Sequence, residues 1–339
     1  MMKKARTLQA FCACTEIGID VCKADLEVVG LFGEEVIRKT LANTPAVVER
    51  FAQGLQAGGY RGKLLCESTG HYHLLLGLAC SRHGLDLRIV NPLQSSKHQK
   101  ARIRKTKTDS VDGYVLATMC RTERDLPKPS NLQPRQVLMR LKQGQLHALD
   151  KHLQRLSRSV AAYRETYRVL GFEWDETMQA LEGIVKQLKA VRRRMTEAYT
   201  QLLTEGVAAP EELERLRRLP GFSATVAGMV GTAFDREVKG YRSWVAYAGL
   251  DVSVRESGNW HGRGRLTKRG NSYLRKRLYC AAWGAVMNHT EVRRYYDRLK
   301  GLGRKHVEAL CMIARKLLRI AYAVLVKGKE YDPAIAFPE

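Results

Sequence analysis

Apolar and polar residues change period several times along this chain, and the changes mark its elements. TEIGIDVCK (15–23) alternates as a strand that carries Asp20 near its end. ADLEVVGLF and EVIRKTLAN follow, with Gly33 marking the turn between them, so residues 15–43 predict a β-meander. PAVVERFAQGLQA (45–57) opens on proline and then runs at helical period. KLLCESTG (63–70) predicts a second buried strand, which delivers Glu67 at its end. A helix over 72–83 leads to a strand over 87–92.

Beyond Pro127, Pro129 and Pro134, which punctuate the chain, the period lengthens. Leu149, Leu153, Leu156, Val160, Tyr163, Tyr167 and Leu170 recur in steps of four and three, a coiled-coil-like stripe with a core role. GFEW interrupts it, and Leu181, Leu188, Met195 and Leu202 then recur every seven residues. Two long helices joined by a short turn form an antiparallel hairpin. The last third is mainly helical. LERLRRLPGFSATVAG places Leu-Pro-Gly between two helical runs, as helix-hairpin-helix modules do, although the same residues also make an ordinary helix–helix turn. In the tail, Leu310, Ile313, Leu317, Ile320 and Leu325 read as core, with Arg315, Lys316 and Arg319 outside.

These elements divide the chain into three parts. Residues 1–126 form an α/β domain of ribonuclease H type, 127–205 a helical coiled-coil insertion, and 206–339 a mainly α C-terminal domain.

Charge narrows the function. The 58 Lys and Arg against 34 Asp and Glu leave a formal net charge of +24, a surplus that points to a polyanionic partner, nucleic acid first. No apolar run reaches the length of a membrane helix, and the start is too weakly apolar for a signal peptide. The eight cysteines are scattered without a CxxC, which disfavours zinc ribbons and disulfide frameworks and suits reduced, mostly buried thiols in the cytoplasm.

The candidate chemistry centres on KTDSVDGYVLA (107–117). Asp109 and Asp112 stand three apart on the first turn of a helix and so share a face. An acidic first turn that complements the helix dipole explains such a pair simply. With Asp20 and Glu67 delivered from strand ends, however, four acids from three elements can converge on divalent metal ions. The adjoining run KHQKARIRKTK (97–107) offers Lys97, Lys100, Arg102, Arg104, Lys105 and Lys107 to a phosphate backbone. A second basic region, 244–283, is glycine-rich. Arg263, Arg265, Lys268, Arg269 and Arg275 surround Ser257, and small residues there let a backbone approach. A serine beside glycine is ordinarily a turn residue. Gly221 of the Leu-Pro-Gly turn is a further candidate phosphate contact.

Taken together, GIDVCK (18–23), ESTG (67–70), VNP (90–92), KTDSVD (107–112), RLPGFSATVAG (218–228), AYAGL (246–250), ESG (256–258) and LTKRGNSYLR (266–275) resemble, in this order, the DEDD-type (RuvC-like) insertion-sequence transposases that act with a bridge RNA. The resemblance implies an RNase H-like, RuvC-like fold. It makes Asp20, Glu67, Asp109 and Asp112 the binding site for Mg²⁺ (or Mn²⁺), and Ser257 the nucleophile of a DNA recombinase. It also implies donor and target DNA, a structured guide RNA, and a homo-oligomer, dimer or tetramer, whose protomers share each active site in a bacterial cytoplasm. Val252 stands where the family often has proline, and Gly113 where alanine is usual. Two other readings stay open: a hydrolytic endonuclease for Holliday junctions and other branched DNA, and a non-enzymatic nucleic-acid-binding assembly factor.

Overall fold

The computed structural model describes residues 8–68, 70–100, 109–206, 210–234, 240–253, 256–257, 260–261 and 264–338, without the side chains of 99–100, 109–111, 256–257 and 260–261. The chain divides into two compact units, Met1–Leu141 and Lys142–Glu339.

The first unit begins with α1 (Leu8–Cys12) and the meander β1 (Glu16–Val21), β2 (Asp25–Phe32) and β3 (Glu35–Ala42). Gly33 turns β2 into β3 at φ 58°, a left-handed conformation that favours glycine. α2 (Pro45–Ala57), β4 (Lys63–Glu67), α3 (His73–Arg82), β5 (Asp86–Val90), α4 (Pro92–Lys100) and α5 (Asp109–Thr122) follow. The sheet order is β3-β2-β1-β4-β5, antiparallel among the first three strands and parallel at β1/β4 and β4/β5. This mixed sheet is consistent with an RNase H-like domain.

Strand alternation sorts the side chains onto two faces. Ile17, Ile19, Leu26, Val28, Leu64, Cys66 and Leu87 join Phe11, Phe51, Leu55 and Leu76 of α1–α3 in one core. The opposite parity, Val29, Leu31, Leu65 and Val90, packs under Leu116, Ala117, Met119 and Cys120 of α5. The strand expected to run to residue 92 ends at Val90. Asn91 and Pro92 instead start a helix: the Leu93 amide donates to Asn91 Oδ1 at 2.9 Å, and proline fits the first helical position.

The second unit carries most of α6 (Pro134–Leu170), then α7 (Glu176–Thr204). Arg164 pairs with Glu182 and Arg192 lies near Asp150, so the helices run antiparallel. Leu153, Val160 and Val185 form the buried seam, flanked by Leu156, Leu181, Leu188 and Trp174. The expected stripe is not core throughout. Tyr163 and Leu170 are exposed, because Trp174 of the turn closes the seam and packs edge-on against Tyr167.

The chain continues through α8 (Pro210–Arg217), α9 (Ala224–Ala233), α10 (Tyr241–Tyr247), the two-residue strands β6 (Val252–Ser253), β7 (Glu256–Ser257), β8 (Trp260–His261) and β9 (Arg265–Leu266), α11 (Ser272–Asn288), α12 (Thr290–Gly301) and α13 (His306–Val326). Leu310, Ile313 and Leu317 are buried on α13 as expected. Ile320, Leu325, Arg315 and Lys316 are only half-buried. Lys316 is drawn inward because its ammonium lies 4.2 Å from the ring centre of Tyr295 and 4.8 Å from that of Phe337.

Candidate active site

In the first unit, sheet parity and register bring the acids of β1 and β4 together. Ile19 pairs with Cys66 across the parallel β1/β4 ladder, and Asp20 and Glu67 are the next residue of each strand. They share parity with Gly18 and Leu65, so both belong to the face that α5 covers. α5 lies against this face because two glycines permit it. A Cβ on Gly18 would meet the Ala117 nitrogen and the Gly113 carbonyl oxygen at 2.2 Å. A Cβ on Gly113 would stand 2.8 Å from Val29 Cγ2. Gly113, the departure from the usual alanine, thus lets the acidic helix sit close to β2.

Glu67 and Asp112 line one cleft of about 190 Å³ with Pro92, Ser95, Ser96, Val115 and Leu116. Ser95 Oγ lies 2.9 Å from Glu67 Oε2 and 3.1 Å from the Pro92 carbonyl oxygen, with the serine 7% exposed. The hydroxyl thus orients the carboxylate from α4. Sequence reasoning missed Ser95, since its only signal was the Asn-Pro that starts α4. Asp109 opens α5, one turn before Asp112, and its side chain is outside the description. Among the described residues, no three His, Cys, Asp or Glu side chains converge closely enough to hold a metal ion. The donor set is carboxylate oxygen, which suits a hard divalent cation.

The described basic candidates near this cleft are Lys97, exposed on α4, and Lys100, at the end of α4. Arg102, Arg104, Lys105 and Lys107 lie outside the described residues, as does Arg263.

In the second unit, Ser257 stands on a small β structure held at its base. Val252 pairs with Leu266 and Ser253 with Arg265. Further out, Glu256 pairs with His261 and Ser257 with Trp260. The base is clamped by main-chain and side-chain contacts. The Thr267 amide donates to the Asp251 carbonyl at 2.9 Å, and its hydroxyl donates to the Asp251 carboxylate. The Asn271 amide donates to the Tyr247 carbonyl at 2.8 Å, while Asn271 Oδ1 caps α11 at the Leu274 amide. Gly249 and Gly270 allow this approach: a Cβ on Gly270 would lie 2.3 Å from the Tyr247 carbonyl oxygen, and one on Gly249 would lie 2.5 Å from Arg275 Nη1. AYAGL and LTKRGNSYLR are therefore the two halves of one clamp beneath Ser257.

Arg265, Lys268 and Arg269 are exposed around the clamp. Lys268 adopts φ 53°, a conformation lysine rarely takes. Arg275 is half-buried and donates to the Ala248 carbonyl at 3.0 Å, so the clamp itself fixes it. Gly221 likewise has a structural reason: φ is 73°, and a Cβ would lie 2.0 Å from the Ala281 carbonyl oxygen of α11.

Known families match both units. Residues 17–168 match the DEDD transposases of IS110, and residues 213–297 match the transposase family of IS116, IS110 and IS902. The chain belongs to this transposase family. It is a DNA transposase or recombinase by that membership. The chain is 24% identical over 330 residues to the pilin gene-inverting protein of Moraxella bovis, covering 95% of this chain and 98% of that protein. The Moraxella lacunata counterpart is 23% identical over 331 residues, with the same coverage. An insertion element IS110 uncharacterized 43.6 kDa protein of Streptomyces coelicolor is 28% identical over 159 residues, 44% of this chain and 37% of that protein. Among the described residues, no helix is long and apolar enough to cross a membrane.

Proposed function

We propose that this transposase is a site-specific recombinase that cuts and rejoins DNA through a transient phosphoserine at Ser257, with a structured RNA guiding the choice of site. The observation that carries the reading is the docking of α5 over β1 at Gly18, which sets Asp112 in one cleft with Glu67, the residue level in register with Asp20 of β1. Asp109, Asp112, Glu67 and Asp20 would hold Mg²⁺ or Mn²⁺, which supplies Lewis-acid stabilisation of charge at a scissile phosphate. Ser95 keeps the Glu67 carboxylate oriented for that task.

Ser257 Oγ attacks phosphorus. The Oγ–P bond forms as the P–O bond to one DNA strand end breaks, the hydroxyl proton leaves, and the departing oxygen gains a proton. A hydroxyl end of the partner DNA then displaces Ser257, and the phosphodiester is restored. The clamp of Asp251, Thr267 and Asn271 holds the base of the strand pair that presents the serine. We read the chain as three working parts: the acids in 1–126, the coiled-coil hairpin in 127–205, and the serine-bearing domain in 206–339. Because the acids and the serine belong to different units, an oligomer in which two protomers share each site is part of the proposal. The net charge of +24 supports DNA and RNA as partners through backbone contacts.

The rival is a hydrolytic nuclease, favoured by the fact that Glu67 and Asp112 share a cleft within the first unit alone. A suicide DNA substrate on a denaturing gel separates the two. The recombinase reading expects a protein–DNA adduct that both Asp112→Asn and Ser257→Ala abolish. Strand cleavage that persists in Ser257→Ala, with no adduct at any time, would establish the hydrolytic enzyme instead.

A further inference from the structure

Two pairs of arginines on the helical hairpin differ in how they are partnered. Near its turn they are matched: Arg164 meets Glu182 at 2.8 Å and Arg168 meets Glu165 at 2.5 Å. Further along α7, Arg192 and Arg193 line a cavity of about 420 Å³ with Thr196, Glu197, Thr200, Thr225 of α9 and Arg277 of α11. Here the cations outnumber their partners. The nearest carboxylate to Arg192, Asp150, is 5% exposed and lies 2.8 Å from Lys276, leaving Arg192 at 3.6 Å. Arg193 and Glu197 are 3.8 Å apart and both exposed, an arrangement that holds neither firmly. Four cations thus face two carboxylates.

Arg277 adds a more specific signal. Its guanidinium lies 5.0 Å from the ring centre of Tyr273 and donates to the Tyr273 hydroxyl at 2.6 Å, yet its Nε is buried without a hydrogen-bond partner. A buried donor of that kind is costly unless a ligand meets it. Thr200 and Thr225 hydroxyls lie 2.6 Å apart, so one donates to the other and the second keeps a proton to offer outward.

From this arrangement we infer that the cavity between α7, α9 and α11 is a binding site for a phosphodiester of a nucleic-acid backbone, gripped by Arg192, Arg193 and Arg277. Arginine forks suit two phosphate oxygens at once, and the threonine pair supplies a neutral donor beside them. Arg192 and Arg193 lie apart in sequence from the basic runs at 97–107 and 263–275, and Arg277 stands two residues beyond the second run. It deepens the recombinase reading by assigning one place where the strand is held, and it makes no contact with the chemistry.

The test is equilibrium binding of the full-length protein in EDTA, so that strand cleavage plays no part and failure of the recombinase reading leaves the result interpretable. Duplex DNA and a single-stranded RNA are titrated separately between 50 and 200 mM salt. Each phosphate contact contributes about 0.9 to the slope of log affinity against log salt on duplex DNA and about 0.7 on single strands. Replacing both exposed arginines, Arg192→Gln with Arg193→Gln, is expected to flatten that slope. The loss of affinity across the range then shrinks about threefold for each contact removed. A change on one probe alone identifies which strand occupies the cavity, and a change on both means that either can. Arg277→Gln acts in the same direction and Arg277→Lys restores part of the slope. Should the Arg277 variants fail to fold, the exposed pair decides. Slopes that coincide with wild type on both probes overturn the inference. So does an equal flattening by Arg164→Gln with Arg168→Gln, which would mean diffuse charge rather than a site.

Discussion

Adding one methyl group at Gly18 tests whether α5 must sit as close to β1 as it does. The new Cβ would lie 2.2 Å from the Ala117 nitrogen and the Gly113 carbonyl oxygen. Both obstacles are backbone, so no side chain can rotate away. Restoring an ordinary contact of about 3.5 Å moves α5 outward by about 1.3 Å. Overpacking of this kind costs about 1–3 kcal/mol. The same displacement carries Asp112 away from Glu67, and a 1 Å error at a reacting centre is worth about a hundredfold in rate. All four tryptophans, at 174, 244, 260 and 283, lie beyond the first unit, so indole fluorescence does not read it. Hydrogen exchange of β1 and α5 peptides does. Gly18→Ala should exchange there about 5- to 150-fold faster where local opening governs exchange, and metal-dependent strand cleavage should fall about a hundredfold. Wild-type exchange with wild-type cleavage would refute the packing argument and the placement of Asp112 that depends on it.

Three further expectations follow from other contacts. Ser95→Ala removes the hydroxyl that orients Glu67 and should cost about 1–2 kcal/mol by denaturant titration, with a larger proportional loss of cleavage than of DNA binding. Asp150→Ala leaves Lys276 without its carboxylate, and because the lysine is 40% exposed the cost should stay near 1–2 kcal/mol rather than the larger figure for a wholly buried pair. Burial raises the Cys14 and Cys120 thiols to about 11 and Cys80 to about 12. The unfolded chain ionises these thiols from about 8.5 upward while the folded chain keeps their protons. Their contribution is therefore complete below that pH, falls as pH rises toward 11–12, and should appear as a declining melting temperature above about pH 9. A flat alkaline profile would contradict it.

Much of the first unit was legible because its strands alternate cleanly and its turns carry the expected residues. Gly33, Pro45 and the strand-end acids Asp20 and Glu67 all stand where the pattern placed them. α4 was not legible, because Val90-Asn91-Pro92 continues an apolar strand until the Asn cap is recognised, and with α4 went the buried role of Ser95. The stripe on α6 overstated its core, since periodicity cannot show that Trp174 closes the seam and leaves Tyr163 and Leu170 exposed. Gly221, from the Leu-Pro-Gly turn, and Arg275, from the basic glycine-rich region, stay candidate phosphate contacts, and each has a structural role besides. Those roles, a helix-to-helix approach at Gly221 and a backbone carbonyl that Arg275 meets, are long-range facts that one sequence does not carry. The pairing that lifts Ser257 on β7 was hidden for a similar reason, because two-residue strands leave no periodic trace.

The central claim, that carboxylates from the first unit and the Ser257 hydroxyl act on one phosphodiester, has a direct chemical readout. Trapped on suicide DNA in Mg²⁺, then digested with nuclease and trypsin, the protein should yield a nucleotide-bearing peptide spanning residues 256–263, whose one serine is Ser257. That peptide should vanish in Asp112→Asn. A nucleotide mapped to any other residue, or an adduct at Ser257 that survives Asp112→Asn undiminished, would contradict the account.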